Sequence, residues 1–260
     1  MLTDVSSIVI AFWRLTLGSV FLWLLFPFFK RETRNTQDYK IIFAGIILAF
    51  HFIFFFKALK LTTIANATLF GTMAPLFSIL YEQIFKKQSL HLNVYLGLSI
   101  CLLGSILIHY ESIALGFDHI LGNFYAIICS FLLAITYNLG KNVRTTISTY
   151  YYTRTLFSSA SLTLFCIMLF QNNSFFDYNL NEYLIFILLG IIPTILGHGI
   201  LSYLLKFFPT TIVISVPLGE PVIASFLGFL VFQETISVVV FFCAVLILTG
   251  LYFIIQNTQK

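Results

Sequence analysis

Charge is what this chain has least of. Lys, Arg, Asp and Glu make up 9% of its 260 residues, where a soluble domain carries about 25%. With 59% apolar residues and a mean hydropathy of +0.98, too few polar side chains remain to cover a wetted exterior. That excludes an ordinary water-soluble fold and leaves a polytopic membrane protein. The formal net charge of +4 is scattered between apolar runs and forms no basic stripe, so nucleic acid is not an expected partner.

Reactive groups are equally sparse. The four cysteines, Cys101, Cys129, Cys166 and Cys243, lie inside apolar runs and form no CxxC pair. Neither a metal site nor a disulfide framework is expected, and the cysteines read as small buried apolar residues. No GxxxxGK[ST] or GxGxxG run is present, which removes nucleotide-driven chemistry. No cofactor is expected. His, Asp, Cys and Ser nowhere gather into a catalytic constellation. Residues 1–7 have no positive leader, so no cleavable signal peptide is expected.

Apolar helix is what the chain has in abundance. Runs of about spanning length fall at 8–29, 41–59, 63–84, 92–110, 119–139, 150–170, 183–204, 211–232 and 237–255. About 20 residues, at 1.5 Å each, cross a hydrocarbon core of roughly 30 Å. Runs such as "IIFAGIILAFHFIFFF" do not alternate, which excludes the strands of a membrane barrel. Short polar joints such as "KKQS" and "KFFPT" leave no extramembrane domain. The expected fold is an all-α polytopic membrane protein with nine transmembrane helices.

Positive charge sets the expected orientation. Lys30, Arg31, Arg34, Lys40, Lys86, Lys87, Lys141, Arg144, Arg154, Lys206 and Lys260 fall on one side, and Arg14, Lys57 and Lys60 on the other. This asymmetry predicts a cytoplasmic C-terminus and, with an odd number of spans, an outside N-terminus.

The chain also compares well with itself. "APLFSILYEQIFKKQSL" (74–90) matches "EPVIASFLGFLVFQETI" (220–236) at an offset of 146, with Pro75 on Pro221, Lys60 on Lys206 and Gly104 on Gly250. "AFWRL" around Arg14 resembles "YYTRT" around Arg154 at an offset of 140. An odd number of crossings separates Pro75 from Pro221, so the matching helices run in opposite directions. That predicts an inverted repeat, common in alternating-access transporters, with four helices in 1–110 and five in 119–256.

Three stretches carry a family resemblance: "FFFKALKLTTIANATLFGTMAPLFSILYE", "GHGILSYLLKFFPTTIVISVPLGEPVIASFLGFLVFQETIS" and "VLILTGLYFI". Together with the Arg14 helix they resemble the EamA-domain branch of the drug/metabolite transporter superfamily over nearly the whole chain. The resemblance implies two five-helix inverted repeats and the movement of amino acids, nucleosides, drugs or other small metabolites. Two departures stand out. The sequence begins where the family's second helix would, and Gln88 replaces a glutamate that the second half keeps as Glu234.

Glu220 beside Pro221 is the foremost site candidate. An ionisable group deep in a membrane usually faces a cavity or a partner, and proline frees a carbonyl that protein or cavity water must satisfy. Glu220 thus reads as a substrate contact or proton carrier, or else as a protonated structural group. His198 in "LGHGILSY" and His51 in "LAFHFIFFF" are route or proton-sharing candidates, with internal hydrogen bonding as the alternative. Arg14 and Arg154 read as snorkelling helix-end residues, or as gate or substrate-carboxylate contacts. Asn66, Tyr137 and Asn138 read as polar groups near helix ends, at a pocket edge or merely cheaply placed. The 31 phenylalanines, including "FIFFF" at 52–56, are expected mostly to meet lipid.

The leading functional reading is a secondary active transporter in the cytoplasmic membrane, working by alternating access on a small polar or amphipathic metabolite. Membrane lipid surrounds it, and protons are a candidate coupling ion. A non-transporting scaffold or degenerate paralogue is one alternative, and a membrane-embedded enzyme another. Nothing in the sequence marks an oligomer face.

Overall fold

Helix starts are written into the sequence as capping side chains. The side chains of Thr63, Ser148 and Asn179 accept from the backbone N–H groups of Asn66, Tyr151 and Glu182, and Glu182 returns a bond to the Asn179 N–H. Each satisfies donors that hydrocarbon could not. The computed structural model describes residues 5–25, 27, 36–87, 90–110, 116–232 and 238–256. Lys30, Arg31, Arg34, Gln88, Glu234 and Lys260 lie outside the described residues.

Among the described residues every regular element is helical. The first half contains α1 (Ser7–Leu24), α2 (Asp38–Leu61), α3 (Ile64–Gly71), α4 (Ala74–Phe85) and α5 (Leu92–His109). The second half begins with α6 (Phe117–Arg144), α7 (Thr149–Phe170) and α8 (Leu180–Leu189). A π-helical segment, Gly190–His198, carries α8 into α9 (Gly199–Leu204). Next come α10 (Thr210–Val213), a 3-10 turn (Val216–Gly219), α11 (Glu220–Phe232) and α12 (Val238–Gln256). Eight described helical segments are long and apolar enough to cross a membrane, and the run Leu92–Ile108 is a shorter apolar helix. The chain is a multi-pass integral membrane protein.

Three of the expected spans are not plain α-helices. The span expected over 63–84 breaks at Thr72 and Met73, and that over 211–232 breaks at 214–219. Both breaks fall just before the matched prolines. Pro75 and Pro221 each occupy the first turn of the following helix, where a missing N–H is harmless. The span expected over 183–204 contains the π-helical segment, with Pro193 inside it.

Helix α2 packs along α6 and α7, and α1 packs on α7 and the π-helical segment. Phe52, Phe157, Phe186, Leu15, Leu48 and Leu164 are almost wholly enclosed in the resulting core. Phe52 and Phe56 of "FIFFF" are therefore core residues and do not meet lipid. In α2, 56% of the apolar window is buried, against 17% in 180–204, because no described helix lies along the latter as α6 lies along α2.

Helices α5 and α12 form a second, tighter pair. A Cβ on Gly250 would stand 2.6 Å from both Cys101 Sγ and the Gly97 carbonyl, and one on Gly104 would stand 2.7 Å from Ile247. Glycine here lets backbones touch. The contacts have a reciprocal pattern. Gly97 meets Gly250, Cys101 donates to the Ile247 carbonyl at 3.4 Å, and Gly104 meets Cys243. Shifted by 146, residues 97, 101 and 104 become 243, 247 and 250, so exchanging the two helices returns the same contacts.

Basic residues fasten one end of the bundle. Lys141 Nζ donates to the carbonyls of Leu205 (2.7 Å) and Phe208 (2.9 Å), just beyond the end of α9. Arg144 Nε donates to the Ser202 carbonyl at 2.9 Å.

Candidate functional site

The site begins with Pro193. Inside a helix it cannot donate to the carbonyl four residues back, that of Leu189. Thr194 Oγ1 takes that role, donating to Leu189 O at 2.9 Å. The same oxygen accepts from Arg14 Nε at 2.8 Å. A proline-bearing segment of the second half thus holds a cation from the first helix.

Arg14 does not snorkel. It sits eight residues into α1 at 5% exposure, and its Cζ lies 4.2 Å from the centroid of the Phe52 ring. Charge on the guanidinium is attracted to the ring face. Among the described residues, its Nε bond to Thr194 is the one hydrogen bond Arg14 makes to protein, so the two terminal nitrogens remain a fork of unused donors. Glu220 is the acid whose charge acts on it.

Around this cation stand the rings of His51, Tyr137 and His198. His51 Nδ1 lies 2.9 Å from the Cys129 carbonyl, which can only accept, so Nδ1 carries a hydrogen and donates it. Tyr137 Oη and His198 Nδ1 are 2.8 Å apart. The His198 ring lies 5.3 Å from Phe52 and 6.3 Å from His51, centroid to centroid. Four elements, α1, α2, α6 and the π-helical segment, thereby bring Arg14, His51, Tyr137 and His198 into one cluster.

Other candidates lie elsewhere. Glu220 opens α11 in an exposed position, and its backbone N–H bonds to the Pro217 carbonyl across the helix break, while Pro221 is buried. The unmet carbonyl expected from Pro221 therefore does not arise inside a helix. Arg154 is buried, contrary to a snorkelling role, under Trp23 (4.3 Å), Tyr150 (5.3 Å) and Tyr151 (5.4 Å). Asn66 is fully buried at the α2–α3 corner, donating to Thr62 Oγ1 at 3.1 Å and Asn123 Oδ1 at 2.8 Å. It ties that corner to α6. Tyr137 and Asn138 are not at a helix end, since α6 runs on to Arg144. Asn138 points away from Tyr137, toward α4, where Nδ2 donates to Ser78 Oγ at 3.0 Å.

Thr194, Phe52 and Glu82 were not singled out by the sequence. A proline and a threonine within "GIIPTILGHG", one turn before His198, are the signal that finds Thr194. Glu82, at 3% exposure, is an acid in the apolar run of α4 and accepts from Thr211 Oγ1 at 2.8 Å.

A buried guanidinium with open donors is suited to bidentate recognition of a carboxylate or a similar planar anion. Histidine and tyrosine side chains beside it provide further hydrogen-bonding groups. Among the described residues no three of His, Cys, Asp and Glu gather as a metal site.

The sequence profile of the EamA-like transporter family matches residues 1–110 and again 120–256. The uncharacterized transporter YxxF of Bacillus subtilis (strain 168) is 23% identical over 228 residues, covering 85% of this chain and 72% of that one. A solved crystal structure superposes with a TM-score of 0.79 over 97% of this chain and 91% of its own, at 18% identity, a likeness of fold. The two profile matches together span nearly the whole sequence, and the chain is thus a membrane transporter, not an enzyme, belonging to the EamA-like transporter family.

Proposed function

We propose that this protein is a secondary active transporter that moves a small carboxylate-bearing metabolite across the cytoplasmic membrane by alternating access. The observation that carries the substrate class is Arg14, buried among helices with its terminal nitrogens unused by any described residue. Leaving such a group in a membrane is costly unless a ligand or cavity water meets it. Arg14 holds the carboxylate, Tyr137, His51 and His198 line the route, and Glu220 contacts a second polar group or carries a coupling proton. Arg154, Asn66 and Asn138 support the surrounding helices.

An inverted repeat of four plus five helices underlies the movement. Support comes from the two profile matches on successive halves, the paired helix breaks before Pro75 and Pro221, and the reciprocal α5–α12 contact. The C-terminus is cytoplasmic and the N-terminus outside, following the positive-charge asymmetry, and terminal reporter fusions read this directly. Two cytoplasmic termini would refute the orientation.

Counterflow in liposomes tests the function. Vesicles loaded in turn with amino acids, nucleosides and uncharged methylated metabolites should show exchange for the carboxylate-bearing set, abolished by Arg14→Gln. Exchange of uncharged solutes alone would refute the role of Arg14. Absence of flux across the panel, with folded protein, would favour a non-transporting scaffold.

A further inference from the structure

Away from the Arg14 cluster, α4, α6 and α10 enclose a second set of polar side chains. Ser78 and Glu82 lie one helical turn apart on α4, at 0% and 3% exposure. Asn138 of α6 bonds to Ser78, and Thr211 of α10 bonds to Glu82. Thr210 and Thr211 are both fully enclosed, and Asn138 is 1% exposed.

These groups are rich in oxygen. Asn138 Nδ2 also donates to the Ala134 carbonyl at 2.9 Å, and a carbonyl can only accept. The amide orientation is thereby fixed, and Oδ1 is the atom left over. Asn138 Oδ1 and Thr210 Oγ1 are both buried and take part in no hydrogen bond among the described residues. Glu82 has no cation within ion-pair distance among the described residues. Lys141 is a basic group whose charge couples to it, but its ammonium is held on the Leu205 and Phe208 carbonyls.

A carboxylate, an orphaned amide oxygen, an orphaned hydroxyl and two further hydroxyls held by three helices make an unusual inventory for a membrane interior. A proton on Glu82 would neutralise the carboxylate and leave both orphans unmet. A hard monovalent cation meets all three needs, since it takes carboxylate, amide and hydroxyl oxygens together. We propose that Glu82, Asn138, Thr210, Thr211 and Ser78 form a Na+ site. Its occupancy ties α4, α6 and α10 together.

The placement connects this site to the first cluster. Asn138 follows Tyr137 directly, so one turn of α6 faces both. Helix α10 leads through the 3-10 turn to Glu220. A bound Na+ therefore braces the broken segment that positions Glu220 and the helix that positions Tyr137. Broken helices near bound Na+ are a recurring arrangement in secondary transporters.

Binding of radioactive 22Na+ to the purified full-length chain tests the site without any substrate, so the result is independent of the transport reading. Wild type should bind saturably, with Na+ but not K+ or choline competing, and NaCl should raise the melting temperature over choline chloride. Glu82→Gln should weaken binding about tenfold or more. Thr210→Val removes an oxygen that bonds to no described residue, so it should fold normally and still weaken binding several-fold. Thr249→Val, on the exposed face of α12, should bind as wild type does. No saturable 22Na+ binding by folded wild type would overturn the proposal. So would Glu82-dependent proton uptake with no Na+ binding, or wild-type affinity in both Glu82→Gln and Thr210→Val.

Discussion

Replacing Thr194 by valine removes one oxygen and almost no volume. That oxygen joins two structures, since it accepts from Arg14 Nε at 2.8 Å and donates to Leu189 O at 2.9 Å. A neutral side-chain bond inside a membrane protein is worth about 0.6 kcal/mol on average, because the unfolded chain in the membrane finds other partners. A bond to a charged group is worth about 1.5–3 kcal/mol. Arg14 is enclosed, and Nε has no second acceptor among the described residues, so the larger figure applies. A cost of about 2 kcal/mol is expected, roughly a 30-fold change in the unfolding equilibrium. The Leu189 bond is lost as well, so the single variant cannot separate the two. A double-mutant cycle with Arg14→Met can, since the Leu189 loss is common to both backgrounds and cancels. Reversible denaturation in mixed micelles should give a coupling energy of about 1.5 kcal/mol or more. Thr194→Ser should restore most of it. An equal cost of Thr194→Val with and without Arg14 would refute the linkage between Pro193, Thr194 and Arg14.

Pro193→Ala restores a backbone donor to the π-helical segment; it should raise the melting temperature while lowering counterflow, and a variant unchanged in both would remove the segment from the mechanism. Phe52→Ala removes the ring beneath Arg14 and opens a core cavity, costing about 3–5 kcal/mol in denaturation experiments. Phe52→Leu, which keeps most of the volume, should fold yet bind carboxylate substrates more weakly, as a raised half-saturation in counterflow would show. Glu220→Gln should insert normally and lose pH-driven accumulation while keeping exchange; unchanged pH-driven transport would exclude proton carriage by this residue. Gly250→Ala forces a methyl against Cys101 and Gly97 and should cost about 1–3 kcal/mol by overpacking, read as a lowered melting temperature.

The helices were legible because hydrocarbon demands long apolar runs, and spanning length alone locates them to within a few residues. Pro75 and Pro221 were legible as matched positions. Their role as the first turn of a new helix was not, because periodicity cannot separate a kink from a break inside an apolar run. Arg14 shows a different limit. A cation several residues from a helix end looks able to reach water, and only the tertiary arrangement of α1 against Phe52 and Thr194 turns it inward. Conversely, Asn138 beside Tyr137 looked like one polar pair. The helical twist of about 100° per residue sends the two side chains to separate clusters. Glu82 escaped notice because it precedes Gln83 and lies close to the basic end of α4, where an acid passes for a boundary residue.

The α5–α12 contact also governs how this sequence can change over generations. Backbones that already touch leave no slack, so an added methyl on one helix must be matched by a loss on the other. Among relatives, positions 97 and 250, 101 and 247, and 104 and 243 should therefore drift as pairs, each holding its summed volume nearly constant. Outward positions such as Leu103 and Phe242, both exposed, should exchange freely among apolar residues. A lineage carrying Ala at 250 should carry a residue smaller than Cys at 101. Variation at these six positions thus records a shared space, inherited jointly by helices nearly 150 residues apart in the chain.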